Sequence, residues 1–321
     1  MPEREMGSLS PRGPPLSSPL MSAPSPAAPY TVAALYQFRP LGNPAGLREA
    51  LLNLGRRLEL CGTLILAPEG INGTVAGPRE AITELHAFLL EAGFDRLEYK
   101  ESQSAEKPFK RLKVRLKRET VTLGVPTEPL AQVGRYVEPQ GWNALLADPD
   151  VLVIDTRNRY EVKAGTFQGA VNPEIGSFRE FPAWVNEHLQ DSRGRKIAMF
   201  CTGGIRCEKS TSLLLGMGFA DVYHLRGGIL KYLEDVPVEE SRWEGECFVF
   251  DGRVTVGHGL TPGGGEMCHS CGGPLTPEET RHRHFERGVS CEHCFAQTTA
   301  EQKASFRERQ RLYERGTERV G

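Results

Sequence analysis

The stretch Ala198-Met199-Phe200-Cys201-Thr202-Gly203-Gly204-Ile205-Arg206-Cys207-Glu208-Lys209-Ser210 decides the fold. It carries an apolar strand signal, Ile197 to Phe200, into a cysteine, two glycines, an arginine and a helix-like run from Glu208 to Leu215. A strand–loop–helix turn of this kind points successive backbone N–H groups inward and sets a helix N-terminus beneath the loop. Both favour an anion at its centre. A cysteine held there is expected to have a lowered pKa and to be a thiolate near neutral pH. The competing reading is a buried cysteine at a strand end, since cysteine ranks among the most buried residue types. Gly203, Gly204 and Arg206 weigh against it. The glycines let the backbone turn tightly and approach a ligand, and a cation beside the sulfur makes little sense in a sealed core.

The flanking sequence sets this turn in an α/β domain. Trp142 to Leu146, Phe181 to Leu189, Ser210 to Met217 and Ile229 to Leu233 read as helices. Val151 to Ile154, Lys196 to Phe200 and Val222 to Leu225 read as strands. Strands alternating with helices predict a parallel sheet covered on both faces. Sites in such sheets lie at the C-terminal ends of strands, where Cys201 and Asp155 both fall. The segment 124–141, with Pro126, Pro129, Pro139, Gly124, Gly134 and Gly141, marks a boundary, so this domain is expected at 130–240.

Upstream, a second pattern fills 30–123. Thr31 to Phe38 reads as a strand, and Leu47 to Leu58 as an amphipathic helix with Leu47, Leu51, Leu54 and Leu58 on one face. Strands follow at Thr63 to Ala67 and, after the turn Pro68-Glu69-Gly70-Ile71-Asn72-Gly73, at Thr74 to Ala76. A helix at Glu80 to Glu91 and a strand at Phe94 to Tyr99 complete a β-α-β-β-α-β order, which predicts a ferredoxin-like (acylphosphatase-like) α+β domain. Lys107 to Arg118 then holds seven Lys or Arg and no acid. Leu112, Val114 and Leu116 alternate with Lys113, Arg115 and Lys117, so a strand here faces the core with the first set and presents three cations on the other side. Such a strand is either a solvated edge protected by charge or a track for a phosphate backbone.

The C-terminal part carries Cys268-x-x-Cys271 and Cys291-x-x-Cys294, with 19 residues between the pairs. Two such pairs complete a tetrahedral S₄ site suited to zinc, which predicts a small Cys-rich module at 245–300. His269, His282, His284 and His293 are nearby, but four thiolates leave no open position, so the zinc is expected to be structural. Residues 301–321 read as a charged helix or tail, a solvated face with nucleic-acid contact as the alternative. At the other end, residues 1–29 carry eight prolines and six serines and are expected to be disordered.

Composition narrows the class. The 321 residues hold 39 basic and 41 acidic side chains, a net charge of −2, so nucleic-acid binding would require local clustering of the cations. The cysteine usage fits metal binding in a reducing compartment, hence the cytoplasm, better than a secreted disulfide framework. No apolar run approaches the length of a membrane span. There is no Gly-x-Gly-x-x-Gly loop, no evident iron triad and no flavin, haem or nucleotide signature.

The loop Cys201-Thr-Gly-Gly-Ile-Arg206 is C-x₄-R, one residue shorter than the C-x₅-R loop that cradles phosphate, and better fits a sulfur atom or persulfide. With Asp155-Thr-Arg157, Glu161, Gly169-Ala-Val-Asn172 and Leu225-Arg-Gly-Gly228 it resembles a rhodanese domain. One departure is Gly165-Thr166-Phe167, where many rhodaneses carry Gly-His-Ile. The order of Glu69-Gly-Ile-Asn-Gly-Thr74, Phe178-Arg-Glu-Phe-Pro182, the loop through Lys209 and the cysteine pairs is similar to the rhodanese-containing tRNA uridine(34) hydroxylase family, from about Tyr30 to Phe295. That resemblance implies oxygen-dependent 5-hydroxylation of the wobble uridine of tRNA, molecular oxygen as co-substrate, and a catalytic cysteine, of persulfide type, at Cys201.

From the residues themselves, Arg206 reads as a loop cation that stabilises the Cys201 thiolate. Cys207 has three readings: a resolving cysteine, a support for the loop at the first helical turn, or the nucleophile itself. Asp155 and Arg157 read as holding the domain's loops together. A rhodanese-type sulfurtransferase that passes persulfide sulfur to tRNA or another acceptor uses the same visible residues. A zinc-stabilised RNA-binding module with a vestigial loop is a third reading, against which the intact Cys201 and loop glycines argue.

Overall fold

The computed structural model describes residues 29–317. The Pro- and Ser-rich stretch 1–29 lies outside these, apart from its last residue.

Residues 30–116 alternate as β1 (Tyr30–Phe38), α1 (Pro44–Arg57), β2 (Cys61–Ala67), β3 (Gly70–Gly77), α2 (Arg79–Glu91), β4 (Glu98–Ser104) and β5 (Leu112–Leu116). The strands form one sheet of order β4-β1-β3-β2-β5, the 4-1-3-2 arrangement of a ferredoxin-like fold with β5 added in parallel beside β2. Leu51 and Leu54 of α1 and Ile82, Leu85 and Leu89 of α2 bury one sheet face, against Ala33, Leu35, Leu64 and Val75. The other face is left free of this domain's helices.

Three details differ from the sequence pattern. β4 starts at Glu98, not Phe94, because Phe94 turns into the helix–sheet core and is fully buried, which leaves a polar edge strand to follow. The turn between β2 and β3 is only Pro68-Glu69, and Gly70 to Gly73 belong to β3. Glycine is required at Gly73, where a Cβ would lie 2.1 Å from the carbonyl oxygen of Thr63 on β2. Finally, Leu116 is not a core residue; it is 47% exposed at the end of the edge strand, beyond the helices that cover Val114.

The second domain builds a four-stranded sheet of order β6-β10-β9-β7 from β6 (Arg135–Val137), β7 (Val151–Asp155), β9 (Lys196–Phe200) and β10 (Val222–Leu225), with parallel pairing throughout. Between them run α3 (Pro139–Ala147), α4 (Arg159–Val162), β8 (Gly165–Phe167), α5 (Phe181–His188) and α6 (Ile205–Gly216), and α7 (Gly228–Asp235) follows β10. β8 pairs with β11 (Trp243–Gly245). On one side of the sheet Phe167 sits edge-to-face with Phe200, Tyr232 and Trp243, at centroid distances of 4.8, 4.6 and 5.0 Å. The opposite side packs Ile154, Ile197 and Met199 against Phe181, Val185 and Leu214.

Short pairs close the chain. β12 (Cys247–Phe248) pairs with β13 (Thr255–Val256), and β14 (Glu266–Met267) with β15 (Pro274–Leu275), the latter hairpin presenting the first cysteine pair. α8 (Glu292–Phe295) carries Cys294, and α9 (Ala300–Thr317) is the charged helix, clamped to the module by Arg307 on both oxygens of Glu286 at 2.6 Å. Among the described residues no helix is long and apolar enough to cross a membrane.

Candidate active site

β9 ends at Phe200 and α6 begins at Ile205, so the loop is 201–204 and the helix starts three residues before the helix-like run at Glu208 and five before the expected helix at Ser210. Arg206 and Cys207 therefore lie in the first helical turn. Gly204 holds the turn at φ +106°, a conformation L side chains rarely adopt, and a Cβ there would meet Tyr36 Oη at 2.8 Å. Its N–H donates to Cys201 Sγ at 3.1 Å. The first turn of α7 fixes the loop from below, with the N–H groups of Ile229 and Leu230 donating to the carbonyls of Cys201 and Thr202 at 3.0 Å each.

Cys201 is only 1% exposed, yet it lines a large cavity. Burial pushes its thiol up, but a hydrogen bond from Cys207, the Arg206 charge and the N–H groups of Cys207 and Gly204 more than offset this, bringing it down to about 6. A thiolate at neutral pH is thus favoured by local donors and by a charge. Cys207 is opposite in character. Burial, reinforced by the neighbouring Cys201, pushes it well above an ordinary thiol, so it remains a donor to Cys201, with Thr156 Oγ1 at 3.8 Å from its sulfur.

Arg206 is held by a partner that the sequence did not assign to it. Its Nη1 and Nη2 donate to Glu161 Oε2 and Oε1 at 2.6 and 2.7 Å, and both side chains are buried. An arginine does tolerate a sealed environment when a bidentate carboxylate neutralises it. Burial acts to raise the Glu161 carboxyl, but Arg206, Arg157 and the Asn158 N–H hold it below the ordinary carboxylate value. Beside it, Arg157 is fully buried and clamps Asp155 through Nε at 2.8 Å and Nη2 at 2.5 Å, while Thr166 Oγ1 donates to the same carboxylate at 2.9 Å. Arg157 also donates to the carbonyls of Glu161 and Gly165, so this pair ties loops together.

The two residues after Cys207 turn toward the first domain. Glu208 Oε1 accepts from Tyr36 Oη at 3.1 Å and from Tyr136 Oη at 2.7 Å. Lys209 Nζ, 1% exposed, donates to Glu69 Oε1 at 3.0 Å and Glu119 Oε2 at 2.6 Å. The helix that begins at the cysteine loop therefore also docks the N-terminal sheet, by its helix-free face.

That docking encloses a cleft of ≈1150 Å³. Strand register defines its floor. One row across the sheet is Glu98, Tyr36, Asn72, Ile65 and Arg115; the next is Lys100, Ala34, Thr74, Thr63 and Lys113. Arg115 and Lys113 hence share the sheet face that meets Cys201, but at its β5 edge they are not among the cleft-lining residues; Lys117, on the same side by alternation, lines the cleft with Arg118 and Arg179. Phe109, Tyr160, Phe178 and Phe250 line it too, with Phe250 59% exposed.

In the C-terminal module, Cys268, Cys271, Cys291 and Cys294 bring their sulfurs within 4.8 Å of one another. Adjacent sulfurs are 3.7 to 3.8 Å apart. A tetrahedron with metal–sulfur bonds of about 2.3 Å has edges of about 3.8 Å, so the four thiols can hold a metal. The histidines go elsewhere: His293 bonds Glu279 and Lys163, and His284 stacks on Phe295 at 4.0 Å.

Comparison with known proteins agrees with this architecture. An acylphosphatase-like domain family, described as UPF0176, matches residues 30–120, and a rhodanese-like domain matches 138–235. A protein of Deinococcus radiodurans named tRNA uridine(34) hydroxylase is 75% identical, over 92% of this chain and 99% of that protein. Proteins of the same name from Acinetobacter baumannii (strain AYE) and Roseobacter denitrificans are 59% and 54% identical, over 88% and 91% of this chain and 90% and 99% of theirs. On this identity across nearly their whole length, the chain belongs to the tRNA uridine(34) hydroxylase family.

Proposed function

We propose that the chain hydroxylates uridine 34, the wobble base of tRNA, at C5 to give 5-hydroxyuridine, with molecular oxygen as co-substrate. The identity to the Deinococcus protein carries this reading. The cleft gives it physical form, because it joins a thiolate-favouring cysteine to aromatic side chains and to Lys117, Arg118 and Arg179, in a space large enough for an unpaired nucleotide.

Each residue then has a task. The Cys201 thiolate adds to C6 of the uracil ring, which moves an electron pair onto the C4 carbonyl oxygen and makes C5 nucleophilic. One atom of molecular oxygen is transferred to C5 while the other leaves as water, with two electrons and two protons supplied by an external two-electron reductant; C5 then loses its proton, the thiolate departs and the ring double bond returns. Cys207 and the Gly204 N–H stabilise the sulfur anion before attack and after release. Arg206, neutralised by Glu161, holds the loop and adds a positive field. Lys113, Arg115 and Lys117 track the phosphate backbone. Zinc at the four cysteines is structural, and the enzyme works in the cytoplasm on its tRNA.

Mass spectrometry of tRNA nucleosides from a deletion strain tests the reaction. Loss of 5-hydroxyuridine and its derivatives is expected. Loss of a thiolated nucleoside with hydroxylation intact would establish instead the sulfurtransferase reading, which the short C-x₄-R loop favours.

Replacing Lys113, Arg115 and Lys117 together by glutamine is expected to weaken tRNA binding and to lower the slope of log K against log salt by roughly two to three. An unchanged slope would reduce β5 to a charged edge. Purified, folded protein is expected to hold one zinc per chain; under about half an equivalent rejects the S₄ site.

A further inference from the structure

The motif Glu69-Gly-Ile-Asn72 has no role in the chemistry above, yet it reaches the cleft. Asn72 lies on β3 beside Tyr36 of β1, in direct register, and both line the cavity that Cys201 lines. Asn72 Nδ2 donates to the carbonyl oxygen of Thr120 at 3.1 Å. That carbonyl fixes which end of the amide is which, since the reverse orientation would set two acceptors together. Asn72 Oδ1 accepts from no group among the described residues and is left to the cleft.

The amide is also held from behind. Thr120 gives both its N–H and its hydroxyl to Glu69 Oε1, at 2.7 and 2.8 Å, and the same oxygen accepts from Lys209 Nζ at 3.0 Å. Lys209 belongs to α6, the helix that starts at the cysteine loop. The chain Asn72–Thr120–Glu69–Lys209 thus fixes one bare acceptor relative to Cys201.

We propose, on the reading that the substrate is uridine 34, that Asn72 is its specificity-determining residue. The bare Oδ1 accepts the N3–H of uracil. Cytosine carries a lone pair at N3, so its ring nitrogen would face an acceptor with no proton between them. The geometry suits the reaction as well. N3 and C6 are opposite corners of the pyrimidine ring, so a base whose N3–H points at the sheet turns its C5–C6 edge away from the sheet, toward the loop of Cys201.

The test is binding by the full chain carrying Cys201→Ser, with tRNAs that differ only in holding uridine, cytidine or 3-deazauridine at position 34. 3-Deazauridine replaces N3–H by C–H with no added bulk. Uridine is expected to bind about ten-fold more tightly than either analogue. Adding Asn72→Ala should bring uridine down to the cytidine level while leaving cytidine affinity within about two-fold, a pattern that loss of a purely structural contact would not give. Equal binding of uridine and 3-deazauridine overturns the proposal without any Asn72 variant, which covers the case in which Asn72→Ala does not fold. A uridine preference that survives Asn72→Ala overturns it too. Failure of every tRNA to bind overturns the tRNA reading itself, whereas binding with no preference at position 34 overturns only the role of Asn72.

Discussion

Cys201→Ser is expected to lower 5-hydroxyuridine formation by a factor on the order of 10³ or more, with the melting temperature nearly unchanged. Serine has almost the same shape and still accepts the Gly204 N–H that now reaches the sulfur at 3.1 Å. What it lacks is an anion. The donors around Cys201 bring its thiol to about 6, so most of it is ionised at neutral pH, while a serine hydroxyl stays protonated in the same place. Alkylation of Cys201 in the unmodified protein should follow the same ionisation, falling as the pH drops through about 6 and level at neutral pH. Cys207, pushed up by burial and by Cys201, should not react over that range. Full hydroxylation by Cys201→Ser would remove Cys201 from the chemistry. A reactivity midpoint near the ordinary thiol value of about 8.5 would show that the loop does not stabilise the anion.

Glu161→Gln should produce the largest loss of stability, about 3 kcal/mol, read from denaturant unfolding. The amide would keep the size of the side chain but leave the buried Arg206 guanidinium without a counter-charge. The carboxylate's contribution has a direction in pH. Its folded pKa lies below the ordinary value, so its stabilisation is complete above about 4.3 and is lost as the pH falls through the depressed value. The variant should therefore be less acid-sensitive as well as less stable. Its thiol should respond too. With Glu161 no longer neutralising Arg206, the full cation acts on Cys201, and the midpoint of Cys201 alkylation should move below that of the unmodified protein. A stability change under about 1 kcal/mol, or a midpoint that rises, would show that Arg206 is held by something other than this pair.

Local pattern disclosed much of the molecule. The strand into Cys201, the alternation of strands and helices behind it and the two C-x-x-C pairs are all signals of short range, and the structure builds each of them. The ferredoxin-like fold of the N-terminal domain also followed from element order. Where the pattern misled, a surface that only the folded chain possesses was responsible. β4 is polar because one of its faces meets the cleft, so the apolar Phe94 drew the expected strand four residues too early. Leu116 alternates correctly with the cations but extends past the helices. The tightest contacts of the site were hidden for a further reason. Glu161 and Arg206 are 45 residues apart, Lys209 and Glu69 are 140, and Tyr36 and Glu208 are 172. No periodicity spans such separations. Each residue was visible within a quoted motif or an ordinary strand, but its partner was not.

The placement of Glu208 and Lys209 has a consequence for how this chain can be divided. Both follow the Cys201 loop on one helix; Lys209 pairs with carboxylates of the other domain, and Glu208 accepts from Tyr36 of that domain as well as from Tyr136 of its own. A rhodanese fragment cut free within 124–134 would keep every atom of the cysteine loop, yet it would leave the Lys209 ammonium without its two carboxylates and Glu208 without one of its two phenols. The two domains are therefore poor building blocks for exchange. A foreign sheet grafted ahead of this helix would have to supply a carboxylate pair and a phenol at these same points to satisfy Lys209 and Glu208 as they are satisfied here.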